Sequence, residues 1–104
     1  MAEPKFLPVH ITNVAATATL TVADCGLVLI ANTGTMTINL PAAADCKGRD
    51  FLFKKTSASA TAVTIDPAAS ETIDGSTTNT QLDTQYESIR IISDGTAWHK
   101  VAQI

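Results

Sequence analysis

Residues 86–101, Y-E-S-I-R-I-I-S-D-G-T-A-W-H-K-V, decide the fold. Two runs rich in β-branched and aromatic residues flank Asp94-Gly95, a dipeptide that accepts the positive φ angles of a tight hairpin turn. In the first run Ile89 and Ile91 share one face, and Arg90 and Ile92 the other. In the second, Trp98 and Lys100 oppose Ala97, His99 and Val101. Ile92 breaks a clean apolar/polar alternation, so the ribbon's second face is expected to be partly covered by something other than water. The hairpin carries the only Trp and the only Tyr of the chain, and is predicted to close the core.

Outward from the hairpin the same period recurs. Residues 14–22 alternate, and residues 26–32 (G-L-V-L-I-A-N) form a continuous apolar run that suits a strand covered on both faces. In residues 35–40, Met36, Ile38 and Leu40 oppose Thr35, Thr37 and Asn39. Pro41 ends that strand, and residues 42–45 have room for one helical turn. Residues 51–55, 62–66, 71–75 and 77–82 read as further short strands separated by turn residues. The sum is an all-β fold, a jelly-roll-like β-sandwich of about eight short antiparallel strands over residues 14–104. Leu27, Leu29, Ile38, Phe51, Phe53, Ile65, Ile89, Ile91 and Trp98 are expected to supply core or intersubunit packing.

Residues 1–13 read differently. Pro4 and Pro8 exclude a helix or a central strand, yet Phe6, Leu7, Val9 and Ile11 are apolar. An extended arm that docks on a neighbouring subunit or a larger surface accounts for both features. An edge segment folded against its own domain is the alternative.

Composition narrows the function. A chain of 104 residues is one domain, with net stability on the order of 5–10 kcal/mol, which self-association raises. The net charge of −3 leaves no electrostatic footprint for nucleic acid, and the one basic pair, Lys54-Lys55, reads as a solvated strand end. No apolar run approaches the roughly 20 residues of a membrane helix, and the N-terminus lacks the pattern of a signal peptide. Cys25 and Cys46 have no His or Cys at metal-ligand spacing, so no metal or cofactor is expected. They read as two small buried thiols, or as a disulfide formed after assembly.

Catalytic patterns are absent. His10 and His99 lack a nucleophile elbow, and Asp66, Glu71 and Asp74 match strand-end turns better than a calcium loop or a glycosidase pair. Trp98 has two readings: a core residue, or a platform that stacks a sugar beside Asp94 and His99.

A further set of short motifs runs in order along residues 26–101: N-T-G at 32–34, L-P-A-A at 40–43, K-G-R at 47–49, K-K-T at 54–56, A-V-T-I-D at 62–66, E-T-I-D-G at 71–75, Q-Y-E-S at 85–88 and S-D-G-T-A-W-H at 93–99. This order resembles a β-domain of tailed-phage virion proteins, found in head-fibre, capsid-decoration and tail-fibre pieces. The resemblance covers about three quarters of the chain. It implies a small, often trimeric, non-enzymatic structural protein, made in the bacterial host cytoplasm and resident on the virion. The expected role is a capsid decoration (cementing) protein binding the major capsid protein or another virion protein, with Phe6, Leu7, Val9 and Ile11 as arm contacts. A head-fibre or tail-fibre domain touching host surface glycans is the alternative. The two cysteines, and an end almost at once after the last strand, depart from the family pattern.

Overall fold

The structure is a computed structural model and describes residues 10–77 and 80–103. Among these residues it contains strands and short 3-10 turns, with no α-helix. Nine strands follow one another: β1 Ile11–Val14, β2 Ala18–Thr19, β3 Gly26–Ile30, β4 Met36–Asn39, β5 Asp50–Lys55, β6 Val63–Asp66, β7 Thr80–Leu82, β8 Ser88–Ser93 and β9 Trp98–Gln103. They make a five-stranded sheet of order β1-β3-β5-β8-β9 and a four-stranded sheet of order β2-β4-β6-β7. The all-β expectation holds.

The antiparallel order expected throughout does not. β1, β3 and β5 pair parallel, as do β2, β4 and β6. Only β5-β8, β8-β9 and β6-β7 are antiparallel. Period-two alternation fixes which face of a strand is buried but carries no information on its partner's direction. The connections decide that. From β1 to β6 each strand lies in the other sheet from the one before it, and the chain returns beside its earlier strand running the same way.

Both inner faces feed one core. Val28, Ile30, Phe51, Phe53, Ile89, Ile91 and Trp98 come from the larger sheet, and Met36, Ile38, Val63, Ile65 and Leu82 from the smaller. Phe51 lies between Phe53 (ring centroids 5.5 Å) and Trp98 (5.7 Å), so the terminal hairpin is anchored by aromatic packing. Its loop is longer than a two-residue turn. Ser93 pairs with Trp98, and the Asp94 carboxylate accepts the N–H groups of Thr96 and Ala97, both at 2.8 Å. Asp94 thus contributes its side chain, and Gly95 alone supplies the positive φ, +95°.

Several boundaries shift. Residues 11–13 of the expected arm belong, with Val14, to β1, an edge strand of the larger sheet. The strand expected over 14–22 shrinks to Ala18–Thr19, and that over 71–75 to bridges from Ile73 to Ser76 and Trp98. Phe6, Leu7 and Val9 lie outside the described residues.

Lys55 is a second correction. Read as part of a solvated strand end, it is fully buried. Its Nζ donates to the Ser57 carbonyl (3.1 Å), the Ser57 hydroxyl (3.0 Å) and the Ser59 carbonyl. Three acceptors replace the water that a buried ammonium loses. Asn32, also buried, bonds Ser57, Thr61 and Gly34, and holds the loop that forms this cage.

Gly26 starts β3 where β1 enters the sheet. Its φ is +127°, and a Cβ there would stand 2.6 Å from the His10 carbonyl, whose oxygen accepts the Leu27 N–H. Gly26→Ala is therefore expected to cost about 1–3 kcal/mol in urea denaturation and to loosen β1 first, read as faster amide exchange at Leu27.

Candidate docking surface

The two sheets differ on their outer faces. In the larger sheet the register sets Ile11, Leu27, Leu52, Arg90 and Ala102 side by side in one row. The next inward-facing row, Val28, Phe53 and Ile89, is fully buried, which fixes the first row as outward. A second outward row is Asn13, Leu29, Lys54 and Ser88, and a third is Asp50, Ile92 and His99. Ile11, Leu27, Leu29 and Leu52 thus stand side by side over β1, β3 and β5 as a short apolar lane, whereas on β8 and β9 Ile92 pairs with Asp50 and Ala102 with Arg90. Ile11 is 53% exposed and Leu52 38%.

The smaller sheet presents the opposite chemistry. Its outward rows are Thr37, Thr64 and Gln81, and Thr19, Asn39 and Asp66. Gln81 donates to the Thr64 hydroxyl at 3.3 Å. This face is suited to water. The outer face of the larger sheet is therefore the more apolar of the two, with Asn13, Asp50, Lys54, Ser88, Arg90 and His99 interleaved among its apolar side chains.

Charges interrupt these rows at Arg90 and Lys54. Arg90 Nε pairs with Asp50 at 2.7 Å across β5 and β8. Lys54 Nζ lies 5.6 Å from the centroid of Tyr86, a ring 61% exposed on a turn whose φ is +67°. At β9, Ile91 pairs with Lys100 and Arg90 with Ala102, so Val101 is an extra residue at a bulge, 51% exposed. The bulge had no signal in the sequence, because period-two reading assumes an unbroken ladder.

The other candidate residues fall as follows. Ile38, Phe51, Phe53, Ile65, Ile89, Ile91 and Trp98 are fully buried, whereas Leu27 and Leu29 are half-buried and face outward. Trp98 offers no exposed face to a sugar ring, so it cannot serve as a stacking platform in the chain as described. Asp94 and His99 are exposed and bonded to each other, with Nε2 and Oδ2 2.7 Å apart. Asp66, Glu71 and Asp74 are separated in role. Glu71 accepts the Ala43 N–H at 3.0 Å, Asp74 accepts the Lys100 N–H at 3.0 Å, and Asp66 sits on the polar face. Among the described residues no three His, Cys, Asp or Glu side chains are placed to hold a metal.

Cys25 and Cys46 are free thiols whose side chains meet in a hydrogen bond. Burial pushes both up, Cys25 to about 11, and the neighbouring Cys46 adds to its rise. No family model matches the chain, and no curated protein matches it.

Two predictions follow from these groups. With Cys25 raised from 9.0 to about 11, it should carry roughly a hundredfold less thiolate at pH 8 than an ordinary cysteine. Its alkylation by iodoacetamide, followed by mass spectrometry, should be slowed in proportion. Because the folded state holds these protons more tightly, the associated stability is present below pH 9 and is lost as pH rises toward 11. Asp94 behaves oppositely. The N–H of Ala97, then His99 and the N–H of Thr96, hold its carboxyl well below 3.8, at about 2. Its contribution is complete above 3.8 and fades as pH falls through 2. Asp94→Ala should remove that part of the acid dependence seen in thermal melts between those pH values.

Proposed function

We propose that this chain is a non-enzymatic structural protein of a phage particle, a capsid decoration (cementing) protein acting as a homotrimer. The observation that supports the proposal is the contrast between the two outer sheet faces, the smaller polar and the larger carrying Ile11, Leu27, Leu29 and Leu52 side by side over three strands. A catalytic or ligand-binding domain concentrates its chemistry in a concave site; here the conspicuous feature is the apolar lane of Ile11, Leu27, Leu29 and Leu52 on an outer sheet face. The order of short motifs along residues 26–101 supplies the phage context. On this reading the two sheets form a sandwich, and parallel winding takes the place of jelly-roll order in its first half. The protein is made in the bacterial cytoplasm and resides on the virion.

Stabilisation of the shell needs no reaction. A subunit that binds the mature lattice and not the open one adds its binding free energy to the mature state alone. Apolar surface that costs free energy in water becomes the source of that binding.

The alternative, a fibre domain that touches host glycans, rests on one observation: Tyr86 is an exposed aromatic presented on a left-handed turn. Titration with host polysaccharide should then shift tyrosine, and leave the buried Trp98 emission unmoved.

The decoration reading is tested by sedimentation and by rebinding to capsids stripped of the protein. The full chain should sediment as a trimer and occupy the shell. Leu52→Glu, placed on the outward lane, should dissociate the trimer and lower occupancy while changing monomer stability by only about 0.5 kcal/mol. A full chain that stays a single subunit and ignores capsids would falsify the reading.

A further inference from the structure

We propose that Cys25 and Cys46 close into an intrachain disulfide when the protein meets a small-molecule disulfide such as oxidised glutathione, and that the bond clamps the two sheets together. The inference stands apart from the decoration reading above. The chain has two cysteines, both free, and the fold brings each to the other from a different element. The register explains how. Gly26 pairs with Phe51 in the parallel ladder, which sets Cys25 level with Asp50. A turn in which Arg49 donates its N–H to the Cys46 carbonyl at 2.8 Å folds Cys46 back toward that position. Cys46 belongs to the core, Cys25 packs against it, and the two thiols share a hydrogen bond. A cysteine kept for packing alone asks only for apolar neighbours, whereas two thiols facing each other form the one arrangement that oxidation needs.

Both sulfurs sit on fixed frames. Cys25 follows the 3-10 turn Val22–Asp24 and donates its N–H to the Val22 carbonyl at 3.2 Å, while the Asp24 carboxylate accepts the Thr21 N–H at 2.8 Å. Cys46 ends the 3-10 turn Ala43–Cys46, which is pinned to β8. There the Ser93 hydroxyl donates to the Ala43 carbonyl at 2.6 Å, and the Gly48 N–H to the Ser93 carbonyl at 2.9 Å. Two groups held side by side in this way have little freedom left to lose on joining. The loop that the bond closes, residues 25–46, contains β3 of the larger sheet and β4 of the smaller. The disulfide therefore restrains both layers in the unfolded chain and, in the folded one, ties the start of β3 to the frame of the terminal hairpin.

The exchange balances in two steps. Cys46 is fully buried and Cys25 only half-buried, so the first attack falls to Cys25. Its thiolate attacks one sulfur of oxidised glutathione, forming a mixed disulfide and releasing one glutathione thiolate. Cys46 then loses its proton and attacks the Cys25 sulfur, expelling the second glutathione. Two electrons and two protons pass from the cysteine pair to the glutathione disulfide, which ends as two thiols. Burial, which pushes both thiols up, makes the first step slow.

The test incubates the full chain with oxidised glutathione, removes the oxidant, labels with iodoacetamide in urea and digests with trypsin, which leaves both cysteines in one fragment, residues 6–47. That fragment should be lighter by two hydrogens and unlabelled, take two labels after reduction, and come from a band of one chain on a non-reducing gel. The oxidised chain should melt about 10–20 °C above the reduced one. Cys46→Ala should retain glutathione on Cys25, and Cys25→Ala should leave Cys46 uncapped. Two labels after the oxidant, two separate glutathione caps, or a band of doubled mass overturn the bond. A bond that forms without raising the melting temperature overturns the clamp, and a cap on Cys46 in folded Cys25→Ala overturns Cys25 as the point of entry.

Discussion

Parallel pairing cannot be closed by a hairpin, because the chain must travel back before it can run alongside itself in the same direction. That constraint shapes the first two thirds of this protein. Between β1 and β3, and again between β3 and β5, the return journey is made through the other sheet, so each crossover is itself a strand. Two sheets grow together, and their facing side chains are obliged to share one core. The antiparallel strands β7, β8 and β9 then end the winding, with the Phe51–Trp98 contact tying the last hairpin to the middle of the larger sheet.

This arrangement explains why one outer face is free to be apolar. The inner faces are satisfied by each other, so nothing in the fold requires Leu27, Leu29 or Leu52 on the outside. Polar residues occupy the equivalent places on the smaller sheet, at Thr37, Thr64 and Asn39, with no harm to the core. On the larger sheet Leu52 is exposed and Leu27 and Leu29 are half-buried.

Much of this was legible in the residues. The alternation of residues 35–40 and 62–66, the turn at Asp94-Gly95 and the run at 26–32 each gave a strand or turn near its observed place. The run at 26–32 led to an expectation of cover on both faces; Val28 and Ile30 are buried, whereas Leu27 and Leu29 on the opposite face are only half-buried. Strand direction was not legible, since it lives in pairings between residues some 25 positions apart, such as Leu27 with Leu52. The prolines near residues 11–14 masked β1, whose ladder begins just past them. Lys55 misled for a physical reason: a lysine is buried only when local carbonyls and hydroxyls meet its ammonium, and that cage is built by a loop with no recognisable motif. At the candidate surface, the lane of Ile11, Leu27, Leu29 and Leu52 emerged only once three separate strands were in register.

The winding has an open end. β1 and β2 are the outer strands at the N-terminal margin of their sheets, each with one backbone edge unpaired among the described residues, while the opposite margin finishes in antiparallel strands. An additional coil, installed by design or by duplication of a segment such as residues 11–25, would find two parallel templates waiting and would lengthen both layers at once. The architecture is thus extensible in one direction only, which makes the N-terminal margin the natural place to graft new material without disturbing the hairpin that seals the other.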